Sequence, residues 1–451
     1  MPYSILECNY NRPERITHTV IKNNDITLPS CSKLTVPGDS TERSCAFHGC
    51  RVVIADPVKN VVHIVHSTES CAYYSWRYRV QSKGDCITTA LTEKDVVMGS
   101  GVDKLYKTII EVGRKFKPEG IFVYETCVPA LIGDDIKAVC KKCEEILNIP
   151  VISFKSAGFR GITQNAGHKI AIDHIFPLIG TKEFKNKSPY DINIIGDFTH
   201  RDAEKIENIL KNFGINTICS FTGNATLEKI RMMGNAKLNI VYCIKSSVKL
   251  AKMMEKKFKI PYIPVNFFGI DNFANSLRNI GNELNINSDI IEKYIHSEIE
   301  KIKPKLEYYK KQLKGKRVFL CHGAQRVLNY MGPLMDDLGM EIIGVSTYFG
   351  NNENYLKIME KLPNGAIVLD NPTSDELEEV IKTYKPDIFI SDDRTRQLIY
   401  KLGMPFLFGR GKGRSYIGFD GFINFAEDIY GTMKPKAWKL INSGEIYDSR
   451  E

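Results

Sequence analysis

Short apolar, β-branched runs alternate along this chain with longer stretches whose apolar positions recur every three or four residues. That alternation predicts repeated strand–helix units, hence α/β architecture with parallel sheets. Strands are predicted at 120–124, 150–154, 192–195, 215–221, 238–242, 262–265, 317–320, 341–345, 366–369 and 387–390, with two more at 52–55 and 61–65. Helices are predicted at 134–147, 204–212, 247–256, 288–312 and 375–384. Pro304 is expected to kink or split the fourth of these, since proline removes a helical donor and crowds the preceding turn. A polar stretch at 182–189 and a lysine-rich run ending at Lys316 read as boundaries. Three Rossmann-like domains follow: 1–185, which includes the N-terminal segment, then 186–312 and 313–451. The first forty residues carry little periodicity and are expected to wrap over the surface or over a partner.

At 451 residues the chain exceeds one ordinary core, and its 43% hydrophobic and 25% charged residues are a globular balance. No apolar run reaches bilayer length and the start lacks a signal peptide, so the expected location is cytoplasmic, with no membrane partner. The net charge of +9 is modest. It collects on helical-looking faces rather than in an aromatic-laced basic stripe, and nucleic acid is not an expected partner. There is neither a GxGxxG nor a P-loop.

Twelve cysteines change the picture. In a reducing compartment they are buried thiols, metal ligands or redox groups rather than disulfides. Three of them, Cys127, Cys243 and Cys321, fall at the carboxyl ends of predicted strands, where α/β sheets gather ligands. For any one of them a buried thiol is an equally good reading. Cys45, Cys50 and Cys71 bracket two strand candidates, at a spacing that fits neither a zinc ribbon nor a ferredoxin run. Cys140 and Cys143 form a CxxC inside a helical pattern, without the turn at a helix start that redox pairs use, and read as an incidental pair on one face.

Longer motifs then carry a resemblance. Met1-Pro2-Tyr3, Glu7-Cys8, Pro13-Glu14-Arg15 and His18 resemble the opening of vanadium and iron-only nitrogenase α subunits. Ser40-Thr41-Glu42-Arg43-Ser44-Cys45-Ala46-Phe47, the stretch from Val62 through Cys71 to Tyr74-Ser75-Trp76, and Thr126-Cys127-Val128-Pro129-Ala130-Leu131-Ile132-Gly133-Asp134-Asp135 resemble the family's three cluster-cysteine motifs, in the family's order. The last of these is also similar to the cofactor-scaffold E subunit. The likeness continues through Phe221-Thr222-Gly223-Asn224 and 238–246 to Gly418-Phe419-Asp420-Gly421-Phe422. The chain therefore resembles the nitrogenase component 1 α-subunit superfamily over nearly its whole length.

The resemblance implies iron–sulfur sites at strand carboxyl ends and between subunits. Cys45, Cys71 and Cys127 would ligate a cluster shared with a homologous β-type partner, either a [4Fe-4S] or a P-cluster-like group, in an α2β2 assembly. Cys243 would anchor a larger carbon-centred iron–sulfur cluster, with or without homocitrate. Cys50 matches no ligand. The stretch Gly158-Phe159-Arg160-Gly161-Ile162-Thr163-Gln164-Asn165-Ala166-Gly167-His168 resembles the catalytic subunit's segment, whose Gln and His face the large cluster. Gln164, His168 and Arg79 would act on substrate, and Lys245 (where an arginine is usual), Ser246, Arg326 and Arg410 would hold cofactor. Without the resemblance, His168 reads as a satisfied histidine on a helix face.

Two departures shape the functional reading. Ser67-Thr68-Glu69-Ser70 replaces the family's Gly-Pro-x-Gly and puts a carboxylate before Cys71. The histidine that holds the far end of the catalytic cofactor is absent, and 405–414 carries Arg410, Lys412 and Arg414 instead. A guanidinium has no lone pair for a metal, though it can offset a cluster's charge or clamp an organic acid. The expected function is thus the α-type subunit of an ATP-dependent nitrogenase-like reductase, fed by a partner Fe-protein ATPase and acting on a substrate other than dinitrogen. The alternative is the α-type subunit of the cofactor-maturation scaffold. A plain α/β binding protein with buried thiols does not account for the ordered motifs.

Overall fold

The computed structural model describes residues 19–23 and 45–438, except 56, 78–85, 162–163, 186, 197, 243, 349, 394, 412 and 436. Its strands, in chain order, are β1 (Thr19–Ile21), β2 (Val61–His66), β3 (Cys86–Thr88), β4 (Gly120–Glu125), β5 (Val151–Phe154), β6 (Asp191–Ile195), β7 (Asn216–Phe221), β8 (Leu238–Val241), β9 (Tyr262–Pro264), β10 (Arg317–Cys321), β11 (Glu341–Thr347), β12 (Ile367–Asp370), β13 (Ile388–Ser391) and β14 (Phe406–Phe408). They form three sheets, ordered β3-β2-β4-β5, β7-β6-β8-β9 and β1-β12-β11-β10-β13-β14. Every pairing is parallel except that of β1 with β12. Each sheet starts its parallel run near the centre and then grows to both sides, which places a crevice at the strands' carboxyl ends.

The sequence dictates these elements in simple ways. β4 (Gly-Ile-Phe-Val-Tyr-Glu) is buried along its whole length, as a strand covered by helices on both faces must be. Helix Ile136–Leu147 is opened by the Asp135 side chain accepting from the Ala138 amide, and it buries Ile136, Val139, Cys140 and Cys143. That i, i+3, i+4, i+7 stripe makes the CxxC a core contact beneath the sheet, as its helical setting implied. Burial pushes the Cys143 thiol up to about 11.

The chain divides into two compact units, Ser44–Val265 with Asn279–Ser288, and Met1–Arg43 with Asn266–Arg278 and Asp289–Glu451. In the first, one apolar core contains Phe122, Tyr124 and Phe154 from one sheet and Ile195, Phe221 and Val241 from the other. In the second, Phe319, Cys321, Ile367, Phe389 and Phe406 pack around the six-stranded sheet.

Two expectations are corrected. Residues 52–55, read as a strand, lie in a π-helix, Gly49–Ala55. A short apolar run does not distinguish strand from helix, and here close packing on helix Gln164–Ile175 decides. Pro304 does not split its helix, which runs from Ser288 to Leu313 and keeps Ile291, Ile295, Ile302 and Leu313 buried. Of the N-terminal forty residues, 19–21 form a strand on the edge of the six-stranded sheet, and most of the remainder lies outside the described residues. β3 and β14, with three residues each, gave no pattern of their own. Among the described residues no helix is long and apolar enough to cross a membrane.

Candidate metal centre

Two parallel strands end beside the site and a third element completes it. Cys71 follows β2 and lies in helix Glu69–Arg77, while Cys127 follows β4 as the first residue of helix Cys127–Ile132. Cys45 precedes the short helix Ala46–His48 in extended conformation (φ −111°, ψ 174°). All three thiols are half-buried and free. Cys45 and Cys127 meet at Gly158, the start of a 3₁₀ turn after β5, and Cys71 lies close enough to both for their charges to act on it. A methyl on Gly158 would stand 3.1 Å from Cys127 Sγ and 3.7 Å from Cys45 Sγ. The Gly158 amide donates to Cys127 Sγ at 3.2 Å.

Burial pushes the Cys45 thiol up, against the His48 and Phe47 amides that point at it, and Cys127 pushes it further up. Burial also raises Cys71, reinforced by Cys127 and Cys45 and opposed by the Thr126 hydroxyl. The three sulfurs thus sense one another, which sequence order alone could not establish. Among the described residues no three His, Cys, Asp or Glu side chains converge closely enough to hold a single metal ion. Soft thiolates on three separate segments, with a glycine leaving room between two of them, fit an iron–sulfur cluster.

Around the trio the scaffold is tightly fastened. The buried His66 ring, at the end of β2, lies 3.0 Å from Thr89 Oγ1 and 2.9 Å from Asp134 Oδ2, and the Thr126 hydroxyl donates to the His66 carbonyl. Asp134 follows the Cys127 helix, so these contacts tie the two cysteine-bearing segments together. Glu69 is exposed. The Cys71, Cys127 and Gly158 segments present large apolar side chains to solvent: Tyr73 and Trp76, Leu131 and Ile132, and Phe159 respectively.

Gln164 and His168 lie on helix Gln164–Ile175, half-buried and buried respectively. That helix touches the Cys45 segment backbone to backbone. A methyl on Gly49 would sit 1.9 Å from the Gln164 carbonyl oxygen, and one on Gly167 would sit 1.9 Å from that of Ala46. Cys50, in the same contact, is fully buried with Ser156 as its hydrogen-bond partner, and burial pushes its thiol far up. It is a core residue.

Arg79 and Cys243 lie outside the described residues, and Lys245 and Ser246 fall in the first turn of helix Ile244–Phe258. Arg326 and Arg410 belong to the second unit, half-buried after β10 and β14 respectively. Lys412 lies outside the described residues. Arg414 is bound by Asp428, donates to Glu427 at 2.7 Å and also donates to the Asn424 carbonyl. Its charge is used inside the fold. Cys321 closes β10 as a buried thiol 2.9 Å from the Tyr348 hydroxyl and 3.1 Å from that of Ser346.

Motif reading missed Gly158 as the point where Cys45 and Cys127 meet, the His66–Asp134 tie and an ion pair between Arg160 and Glu125 at 3.0 Å. Gly158, Arg160 and Asp134 stand inside the quoted motifs, so the signal was present without its geometry.

The family described as nitrogenase component 1 type oxidoreductase matches residues 45–434. The nitrogenase molybdenum-iron protein alpha chain of Methanothermobacter marburgensis is 35% identical, over 99% of both chains. The nitrogenase iron-molybdenum cofactor biosynthesis protein NifE of Methanococcus maripaludis is 38% identical, over 94% of this chain and 90% of its own. The solved structure titled nitrogenase Cp1 at pH 5 superposes with a TM-score of 0.85 at 30% identity, covering 97% of this chain and 98% of that one.

Proposed function

From the premise that this chain belongs to the nitrogenase component 1 type oxidoreductase family, we propose that it is the α-type subunit of an ATP-dependent nitrogenase-like reductase whose substrate is not dinitrogen. The family implies iron–sulfur clusters, a β-type partner and an Fe-protein donor. The observation that carries the reading is that Cys45 and Cys127 converge on Gly158 with Cys71 within electrostatic reach of both, rimmed by exposed apolar side chains.

On this reading the three thiols hold a cluster, [4Fe-4S] or P-cluster-like, and the partner supplies the remaining ligands in an α2β2 assembly. Tyr73, Trp76, Leu131, Ile132 and Phe159 then lie under that partner. When bound, the cluster stores and passes single electrons. The chain's own work is to give up the thiol protons on binding and to hold Cys127 Sγ by the Gly158 amide, a bond of the kind that tunes cluster potentials. Further roles follow the resemblance. Cys243 is the thiolate of a carbon-centred cluster, Lys245, Ser246, Arg326 and Arg410 contact cofactor, and Gln164, His168 and Arg79 act on substrate. Histidine suits proton transfer near neutral pH. Arg410 cannot ligate metal, so it would meet an organic acid such as homocitrate or the cluster's charge.

The second reading, a maturation scaffold, is favoured by Arg410 in place of a ligating histidine and by the likeness to NifE. The α/β complex purified without oxygen separates the two. Cys45→Ala, Cys71→Ala and Cys127→Ala should each lower iron content and weaken pairing, Cys243→Ala should remove only the large cluster's spectrum, and Cys140→Ala should do neither. In a reductase, His168→Ala cuts turnover about 10²–10⁴-fold with clusters intact. In a scaffold, it changes only cluster loading or transfer. Equal iron in all the cysteine variants would overturn the assignment.

A further inference from the structure

The segment between β5 and helix Gln164–Ile175 joins the cysteine trio to Gln164 and His168, and three bonds stitch it to the end of β4. The Ser156 hydroxyl donates to the Glu125 carbonyl at 2.9 Å. The Gly158 amide donates to Cys127 Sγ at 3.2 Å. Arg160 Nε donates to Glu125 Oε2 at 3.0 Å. Glu125 is buried and stands two residues before Cys127, so one residue is gripped by both its backbone and its carboxylate. Arg160 is partly exposed, at 39% of its side chain. A surface cation has thus been drawn onto a buried anion, and the two residues, Arg160 and Glu125, stand two positions from Gly158 and from Cys127 respectively. Close contacts flank the bond at Gly161 and at the start of the following helix. A methyl on Gly161 would stand 2.1 Å from Ala166 Cβ, and the helix that follows is locked to the Cys45 segment at Gly49 and Gly167.

We propose that Arg160, acting through Glu125, is a positioning residue that sets both the electrostatics of the cysteine trio and the placement of Gln164 and His168. The proposal rests on the reading that the trio holds an iron–sulfur cluster. Two consequences follow from the geometry. First, the pair is locally neutral, and removing either partner leaves the other's charge beside Cys127. A bare carboxylate disfavours the reduced, more negative cluster, whereas a bare guanidinium favours it. The potentials of the two single variants must therefore move in opposite directions. Second, Arg160 fixes the connector by a planar, directed donor, which lysine reproduces in charge but not in shape. Charge and placement can thus be separated.

The experiment uses the anaerobic α/β complex and reads iron content, the one-electron midpoint potential of the interface cluster and hydrogen exchange over 156–168. Arg160→Gln should keep its iron and lower the potential, by about 59 mV for each tenfold change in the reduction equilibrium. Glu125→Gln should raise the potential, and the double variant should return towards the parent. Arg160→Lys should restore the potential while leaving faster exchange over 156–168. Same-direction shifts in the two single variants, or none, with iron intact would overturn the proposal and leave the cluster assignment standing. A parent complex without an interface cluster would overturn both. Loss of iron in Arg160→Gln but not in Arg160→Lys, with the Glu125→Gln potential unchanged, would reduce Arg160 to a structural role and also overturn it.

Discussion

Adding one methyl at Gly158 and one at Gly167 should have opposite consequences, because different atoms wait for each. At Gly158 the new carbon meets Cys127 Sγ at 3.1 Å and Cys45 Cβ at 3.4 Å. Both neighbours are side-chain atoms that need yield only a few tenths of an ångström. Squeezing them costs about 1 kcal/mol, and the lost freedom of the unfolded chain offsets about 0.4–1 kcal/mol. Gly158→Ala should therefore leave the metal-free chain nearly as stable as the parent. It also puts a methyl where two thiols converge, and changes beside a metal site commonly weaken binding about 10–100-fold. Faster loss of iron to a ferrous chelator should expose this. At Gly167 the methyl would stand 1.9 Å from the Ala46 carbonyl oxygen and 2.5 Å from the Cys50 amide nitrogen, both backbone atoms. The helix must move bodily, at a cost of at least about 3 kcal/mol. Urea denaturation of the metal-free chain, followed by near-ultraviolet circular dichroism, should show a large loss for Gly167→Ala and almost none for Gly158→Ala. Equal destabilisation by both, or iron held by Gly158→Ala as firmly as by the parent, would refute the idea that Gly158 leaves room for a bound group.

Further outcomes follow from single contacts. Arg414→Ala should destabilise the second unit by about 1–2 kcal/mol, through loss of its bonds to Asp428 and Glu427, and leave iron content untouched; unchanged stability with lost turnover would contradict this. Burial pushes the Asp337 carboxyl up to about 6, opposed by the Ile270 amide and Lys310 and reinforced by Asp271 and Asp336. The folded chain then holds this proton more tightly than the unfolded one, so stability falls as pH rises from about 4 to about 6. Asp337→Asn should flatten that decline, by about 2 kcal/mol after allowance for partial exposure, in unfolding midpoints measured across the range. His66→Phe should cost about 2–4 kcal/mol, because the buried Asp134 carboxylate and the Thr89 hydroxyl both lose their ring partner; an unchanged midpoint would refute the tie between the two cysteine-bearing segments.

The sequence by itself determined the layer architecture, because parallel strands buried on both faces leave near-continuous apolar runs such as 120–124, and amphipathic helices leave stripes such as 136–143. It also determined the family, because the cysteine motifs are long and stand in a fixed order. It could not decide 52–55, where the same four apolar residues suit a strand or a helix until Gln164–Ile175 packs against them. Nor could it find β1, whose three residues acquire meaning only from β12, to which they pair across most of the chain. For the candidate site the division is sharper. Cys45, Cys71 and Cys127 were legible as residues, but their convergence is a product of two strand ends, a helix start and a glycine turn brought together by the sheet. Cys50, Cys140 and Cys321 look alike in a string, and only burial and hydrogen-bond partners make them core thiols. Arg414 looked like part of a basic loop until helix Gly418–Met433 supplied its acidic partners. A charge pattern specifies what can pair, and only the tertiary fold brings the partners within reach.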